Sequence, residues 1–569
     1  MKISDYIVQF LEQKNITDVF GYPGGMVTHL MDSLHQSQKI HTHINLHEQA
    51  SAFCATAYGQ LKKRPTMAFA TSGPGATNLI TGICDAWFDS APAIFITGQV
   101  NTYEGKGTLS VRQKGFQETD IVAIVSSVTK FAKQICTAEE IPAALETAYT
   151  IACSGRPGPV LLDIPMNVFR GEIAVNSAMA EEKSVETRSV PQDGLHHLLA
   201  LLQAAKRPLI IAGCGIHQAD AEIAFRAFVE KSGIPVVTSM PAVDLLPAEH
   251  SCRFGFIGAY GQRSANILVE KSDCILTLGA RLDNRQTGND VTHFATHAKL
   301  IRVDVDAGEL ENCVKKDALN LCCDLKNLLQ ALQKEPFDAK KQDAWRTVCS
   351  EIRDKANCGD TSAQLAFVAA LSRWIASDAV ITTDVGQNQV WVAQAFAVKD
   401  GQRILFSAGH GAMGYSLPAA IGACCVTHKP VYCFTGDGGL QMNLQELELI
   451  RREQLPVKII VFNNHSLGMI RHFQELYFDS NFSMTTANSG YSCPDFTAIA
   501  QAYQIAALRC ESVENNDALR VLLQNDKPCL VELFTGDITY VTPKSVYNKP
   551  LSQQEPPMDA ALFNELMSL

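Results

Sequence analysis

No window of the sequence reaches the uninterrupted apolar length of a membrane span, so the chain is not expected to cross a bilayer as a helix. No long run of Lys or Arg occurs either. With 48 basic and 59 acidic side chains the net charge is −11, which repels nucleic acid and anionic membrane alike. Any phosphate group it holds must be met by backbone amides, a metal ion or isolated cations. Among 18 cysteines there is no Cys-x-x-Cys, and the pairs Cys322-Cys323 and Cys424-Cys425 sit in apolar runs as small core residues do. That spacing argues against a disulfide framework or a thiolate metal centre and fits a reduced, cytoplasmic interior. The 15 histidines show no metal-ligand spacing such as His-Glu-x-x-His. No tandem repeat is visible, and Met1-Lys2-Ile3-Ser4-Asp5-Tyr6 is too charged and amphipathic to open a signal peptide.

What is present is globular material for about three domains: 569 residues, 46% hydrophobic and 19% charged. The first part alternates strands and helices. A helix over 4–14 precedes a strand from Asp18 that breaks into Gly21-Tyr22-Pro23-Gly24-Gly25, and a helix over 26–35 follows. The period-two strand Ile40–Leu46 runs into His47-Glu48, the start of a small-residue helix. Strand 66–70 meets a second glycine turn, Thr71–Asn78, and strand 93–97 leads into a long polar loop ending at Phe116-Gln117-Glu118. A helix over 138–153 and strand 158–163 complete this α/β unit. Polar residues 171–192 read as a linker, and so do the charged residues near 335–360. Between them, strands at 208–212, 236–238, 274–278 and 300–304 indicate a second α/β domain, with Gly-x-Gly at 213–215 and two arginines after Gly279. The tail beyond Val541 reads as irregular up to a last helix at 558–568.

The most informative stretch is Thr435-Gly436-Asp437-Gly438-Gly439. An apolar strand, Val431–Phe434, precedes it, and an amphipathic helix over 440–450 is expected after it. Glycine at a strand-to-helix turn lets backbone amides approach a phosphate where the helix dipole favours an anion. The next strand, Val457–Phe462, ends in Asn463-Asn464. In a doubly wound parallel sheet adjacent strands bring their carboxyl ends to one crevice, so Asp437 and Asn464 can meet there. A carboxylate, an amide oxygen and a main-chain carbonyl make half of a hard-cation octahedron, which Mg2+ completes with phosphate oxygens and water.

Taken together, these motifs resemble the signature of thiamine diphosphate (ThDP) enzymes. Nearly the whole chain is similar to the acetolactate synthase (acetohydroxyacid synthase) catalytic-subunit family. The matching motifs come in family order: Phe20–Gly25, His47-Glu48, Thr71–Asn78, Gly98-Gln99-Val100, Phe116-Gln117-Glu118, Gly155–Val160, Gly279-Ala280-Arg281, Asp384–Gln387, Met413-Gly414, Gly436-Asp437-Gly438 and Gly468-Met469-Ile470. The resemblance implies three doubly wound parallel-sheet α/β domains: pyrimidine-binding (1–170), central FAD-binding (193–335) and diphosphate-binding (361–545), with a tail over 546–569. It implies that the Glu48 carboxylate hydrogen-bonds N1′ of the cofactor aminopyrimidine and so promotes removal of the C2 proton. Met413 would support the bent cofactor, the Gly411 carbonyl would accept from its 4′-amino group, and Gly24 and Gln117 would belong to the catalytic set. Pro23, Thr71, Gly75, Asn78, Gly386, Gln387, Asn388, His410, Gly436, Gly438, Gly439, Gly468 and Met469 would contact ThDP. Asp437, Asn464 and the Ser466 carbonyl would bind Mg2+, while Arg156, Gly213, Gly215, Gly279, Arg281 and Asp304 would form or border the FAD site. The family builds each site from two subunits, so a homodimer or homotetramer is expected.

Three departures bear on the acceptor. The family's acceptor-packing Trp is Phe473 here, a pocket Met is Ala259, and the loop Asn101–Gly115 is longer and polar. Smaller side chains and added hydrogen-bonding groups favour a hydroxyl-rich acceptor, such as the nucleotide-linked keto-sugar used by one branch of this family. Against that stands Arg285, which matches the arginine that binds an acceptor carboxylate, although Asn284 replaces the usual Asp beside it. The expected activity is therefore transfer of the two-carbon unit of pyruvate to a carbonyl acceptor, with a nucleotide-linked keto-sugar the favoured acceptor and a second 2-oxo acid, as in acetolactate synthesis for branched-chain amino acids, the alternative. A 2-oxo acid decarboxylase or flavin-dependent oxidase is the alternative from another class, with His410 as the one histidine placed to donate a proton. A relative that binds without catalysis would be expected to lack Glu48 or a metal ligand, and all are present.

Overall fold

The computed structural model describes residues 1–174, 187–514 and 516–569. The polar stretch read as a linker over 171–192 therefore lies partly outside the described residues. The chain forms three six-stranded parallel sheets, each flanked by helices, as expected from the alternation of apolar runs and amphipathic segments. The first contains β1 (Asp18–Gly21), β2 (His41–Ile44), β3 (Met67–Ala70), β4 (Ala93–Gln99), β5 (Phe131–Gln134) and β6 (Pro159–Pro165), in the order β2-β1-β3-β4-β6-β5. The second contains β7 (Pro208–Ala212), β8 (Val236–Thr238), β9 (Arg253–Phe256), β10 (Cys274–Leu278), β11 (Lys299–Asp304) and β12 (Leu319–Cys322), ordered β12-β11-β10-β7-β8-β9. The third contains β13 (Val380–Thr383), β14 (Arg403–Phe406), β15 (Val431–Gly436), β16 (Val457–Asn463), β17 (Ala506–Cys510) and β18 (Cys529–Phe534), ordered β14-β13-β15-β16-β18-β17. In each sheet the strand order reverses away from the first-laid strands, which opens a crevice at the carboxyl ends.

The first and third sheets are joined by helix Glu48–Lys62 packed on helix Ser416–Thr427. Both are rich in Ala, Cys and Gly because their backbones nearly touch: a Cβ on Gly422 would lie 2.3 Å from the Cys54 carbonyl oxygen. Buried polar ties reinforce this contact in both directions. Glu446 accepts from the Asn45 side chain and the Leu46 amide (both 2.9 Å), and Asp89 accepts from the Ala408 and Gly409 amides (2.9 and 2.8 Å). Burial pushes Glu446 up to about 7 and Asp89 up to about 6.

A second tie is the buried His43, whose ring nitrogens face Glu453 (2.6 Å) and Asp18 (3.1 Å) while His41 and Cys425 lie alongside. Burial alone would lower the His43 pKa, yet the two carboxylates hold it above its ordinary value; Glu453 is pulled down to about 2 despite its own burial. A raised histidine stabilises the fold fully below its unfolded pKa of about 6.5 and loses that contribution as pH rises through the folded value. The stability difference between wild type and His43→Gln should thus be largest at about pH 6 and shrink as the pH rises above the unfolded histidine value and through the raised folded one, read by urea denaturation. A difference independent of pH would contradict the ion triad.

Three features depart from the sequence reading. The charged stretch near 335–360 is not a plain linker. Helix Asp343–Ala356 buries Trp345, Cys349, Ile352 and Ala356 along one stripe, and the Trp345 indole donates to the Pro208 carbonyl (3.0 Å). The helix expected over 440–450 is broken into Asp437–Met442 and Leu447–Glu453. Asn443, at the break, turns its amide to the Gly414 carbonyl and Gln49 (2.9 and 3.2 Å). The tail, for its part, crosses back to the central sheet. Its hairpin, β19 (Lys544–Ser545) with β20 (Gln554–Glu555), bonds the carbonyls of Ala259 and Gly261, and helix Ala560–Ser568 packs on Asp343–Ala356.

Candidate active site

Glu48 is the first residue of its helix, capped by the His47 ring, which accepts from the Gln49 amide (3.0 Å). Its carboxylate is buried and receives the Asn78 side-chain amide at 2.9 Å. Gly75 packs beside it, where a Cβ would lie 3.1 Å from Oε1, and a Cβ on Gly24 would collide with Thr71 at 2.3 Å. The turns after β1 and β3 are thereby pressed together against the glutamate, and Pro23 leads into the same corner. Gln117 closes it from the far side of the long loop. Its backbone is left-handed (φ 64°), a strained state for a residue with a side chain, and it abuts Gly73. The loop itself folds around Glu118, which receives the amides of Lys106, Lys114 and Gly115 (2.6, 3.0 and 3.1 Å). Every hydrogen bond of the Glu48 side chain among the described residues is to the first domain.

The third domain supplies a separate constellation. β15 and β16 pair in parallel with Gly436 opposite Phe462, which carries Asp437 and Asn464 to one edge as their spacing predicts. One oxygen of Asp437 accepts from the Gly438 amide (2.9 Å), whereas Oδ2 is buried with no partner, and burial pushes the carboxyl up to about 6. Asn464 is held by Gln387 (2.9 Å) and Thr539 (2.7 Å), which leaves its carbonyl oxygen turned to the Ser466 amide at 3.2 Å. The Ser466 carbonyl accepts one bond, from Gly468, and retains a lone pair. An unpaired buried carboxylate oxygen beside two neutral oxygens fits a hard divalent cation.

Glycines clear the space around this edge. Gly386 (φ 149°) and Gly436 both face the Asn388 amide, Gly439 lies against Asp384, and a Cβ on Gly468 would meet Gln387 at 2.0 Å. Asn388 Oδ1 is buried without a partner. Met413 reaches Gly438, where a Cβ would sit 3.1 Å from its methyl, and Gly411 (φ 71°) has open space around it. The His410 ring stacks on Phe88 (5.6 Å between centroids), and burial keeps its pKa below the ordinary value. Met469 is half-buried at the start of helix Gly468–Tyr477.

A cavity of about 370 Å3 lies where the three domains meet and is lined by Arg156, Gly215, Gly279, Arg281 and Asp304. Gly213 does not line it. That glycine is explained by packing instead, since a Cβ there would lie 2.0 Å from the Gly279 carbonyl oxygen. Arg156 borders the cavity with its guanidinium tied to Asp306 (3.1 Å) and Glu309. Lys63 also faces the cavity; its ammonium is ion-paired with Glu222 at 3.7 Å without a hydrogen bond, and burial lowers it to about 8. Lys63 and Arg281 on the wall, with Gly215 and Gly279 beside them, suit an anionic group such as the diphosphate of a dinucleotide.

Several positioning residues are given no role by the sequence reading, Asp384 among them although it opens the Asp384–Gln387 motif. Asp384 holds the Met413 turn by accepting from the Gly414 and Ser416 amides (2.9 and 3.1 Å), and Thr539 accepts from Asn464 while bonding Gln387 at 2.6 Å. Asp89 and Glu446 act across domains, as described above. Only the placement of acids near strand ends could have hinted at any of them.

Comparison with known proteins matches this chain to one family. The profile described as Thiamine pyrophosphate enzyme, N-terminal TPP binding domain covers residues 1–124, the central domain covers 195–332 and the C-terminal TPP binding domain covers 384–533. The chain is 35% identical to the acetolactate synthase large subunit of Lactococcus lactis, over 95% of this chain and 93% of that one. The chain belongs to the acetolactate synthase large-subunit family of ThDP enzymes. Other members of the family are as similar: the isozyme 2 large subunit of Escherichia coli K12 is 34% identical over 95% of this chain and 97% of its own length. For acetolactate synthase 1, chloroplastic, of Oryza sativa the figures are 34%, 95% and 86%. As a family member the protein is a ThDP-dependent enzyme that forms C–C bonds, and among its described residues no helix is long and apolar enough to cross a membrane. The departures at Phe473 and Ala259 sit together on one rim. Phe473 is 49% exposed on helix Gly468–Tyr477, and Ala259 lies under the tail hairpin.

Proposed function

We propose that the protein decarboxylates pyruvate and joins the remaining two-carbon unit to a carbonyl acceptor, with a second 2-oxo acid as acceptor, the reaction named in its relatives. The observation that carries this reading is the Glu48 corner: a buried carboxylate at a helix start, with one amide donor and glycine on its open side, in a chain matched end to end by acetolactate synthases. ThDP, when bound, supplies a carbon nucleophile that serves as an electron sink. The chain's own contributions are distinct. Glu48 holds a proton at the pyrimidine N1′. Asp437, Asn464 and the Ser466 carbonyl would hold Mg2+ against the diphosphate, and the Gly386 and Gly436 turns admit that diphosphate close to the backbone. Met413 would prop the cofactor, and Gly24 with Gln117 would complete the catalytic corner beside Thr71 and Gly73. FAD would occupy the three-domain cavity beside Gly215, Gly279 and Arg281.

As the family resemblance implies, the complete site would be formed between two copies of the chain, Glu48 coming from one and the metal edge from the other, in a homodimer or a pair of dimers. A second reading, a nucleotide-linked keto-sugar as acceptor, is favoured by Phe473, Ala259 and the Glu118-centred loop. Incubation with pyruvate, ThDP and Mg2+ alone separates the two. Rapid acetolactate formation is the expected result, and product appearing only after a keto-sugar is added would transfer the assignment to the second reading.

A further inference from the structure

Two cations with no carboxylate partner stand on the same rim of the site. Arg285 forms no side-chain hydrogen bond or ion pair among the described residues; its guanidinium lies over the Tyr260 ring at 5.9 Å. Lys544, in the tail hairpin, likewise forms none, and its ammonium lies over the Tyr477 ring at 5.8 Å. The two are joined edge to edge by the backbone. The Ala259 amide donates to the Arg285 carbonyl (2.8 Å), and the Ser545 amide donates to the Ala259 carbonyl (2.7 Å). Nearby acids are otherwise engaged: Asp283 is bonded by Arg281 (2.9 Å), and Glu475 by Arg471 (2.8 Å) and Tyr540 (2.9 Å). Glu555 pairs with Lys544 across the hairpin in register without forming an ion pair.

The rim faces the chemistry. Helix Gly468–Tyr477 begins beside Ser466 and carries Phe473 and Tyr477 to this point, about 15 Å along its axis. Arg285 and Tyr260 line the end of the three-domain cavity. Burial and the neighbouring Lys544 charge keep His472, on the same helix, down at about 4, so it stays neutral and adds no third charge. In a protein of net charge −11, two cations with no ion-paired acid on one edge of a cleft, Glu555 across the hairpin being the one free acid nearby among the described residues, create a local anion site.

We propose that Lys544, with Arg285, binds an anionic group carried by the carbonyl acceptor, a carboxylate or a phosphate, and so helps to set acceptor choice. Two cations with flanking aromatic faces suit a diphosphate with an attached base; one cation suffices for a carboxylate. The inference rests on the carboligase reading above and concerns the acceptor alone.

The test uses the full-length enzyme loaded with ThDP, Mg2+ and FAD, with 2-oxobutyrate and a nucleoside-diphosphate-linked 4-keto-sugar as separate acceptors. Lys544→Met is expected to raise the acceptor KM about tenfold or more with kcat changed less than about twofold, and Lys544→Arg to restore most of it. A rise confined to the keto-sugar identifies the anion as the diphosphate; a rise with 2-oxobutyrate identifies a carboxylate. Unchanged KM for both acceptors, or an equal fall in kcat for both without a KM change, overturns the proposal. Failure of the wild-type enzyme to form any product from pyruvate with either acceptor would instead remove the carboligase reading itself.

Discussion

Glu48→Gln is expected to leave an enzyme that folds and binds ThDP and Mg2+ yet exchanges the cofactor C2 proton and forms product about a hundredfold more slowly, or worse. The side chain sits at a helix start, buried, with the Asn78 amide on one oxygen and the Gly75 clearance beside the other. Glutamine keeps the size and one hydrogen bond but loses the charge that stabilises a proton at N1′. The diphosphate and metal are held by the third domain, so affinity should be preserved while activation is lost. Proton exchange at C2, followed by NMR after acid quench, separates the two. Exchange at the wild-type rate would reduce Glu48 to a carboxylate that favours its helix dipole.

Asp437→Ala has the second large effect, of the opposite kind. Its Oδ2 is a buried carboxylate oxygen with no partner in the protein, a costly arrangement unless a cation completes it. Without that oxygen the diphosphate loses its metal bridge in a protein with a surplus of negative charge. ThDP affinity should fall by at least about a hundredfold in calorimetry with Mg2+ present. Unaltered affinity would show that the unpaired oxygen answers to something other than the metal.

Much of this site was legible in the sequence because its parts are local. Gly436-Asp437-Gly438, Thr71–Asn78 and His47-Glu48 are each a strand end, a turn and a helix start, and the turn chemistry is written in consecutive residues. Edge elements were harder. β5, β9 and β12 are short and lie at or next to a sheet edge, where alternation is weak. Helix Asp343–Ala356 was hidden because its buried stripe of Trp345, Cys349 and Ile352 is narrow against a charged majority. Contacts between distant residues had no signal at all. Nothing near Thr539 announces that it fixes Asn464, and nothing near Asp89 announces that it fixes the turn leading to Gly411 and Met413. The tail could be given no contact from its prolines, yet it places Lys544 beside the residues where the chain departs from its family.

The central claim is that pyruvate loses one carboxyl and its remaining carbons are joined to a second carbonyl compound. The direct measurement is stoichiometry in the loaded enzyme supplied with pyruvate alone: CO2 released, pyruvate consumed and products identified by NMR. One CO2 for every two pyruvate molecules, with acetolactate as the product, is the result expected. One CO2 for each pyruvate, with free acetaldehyde as the main product or with peroxide formed in the presence of oxygen, would contradict it.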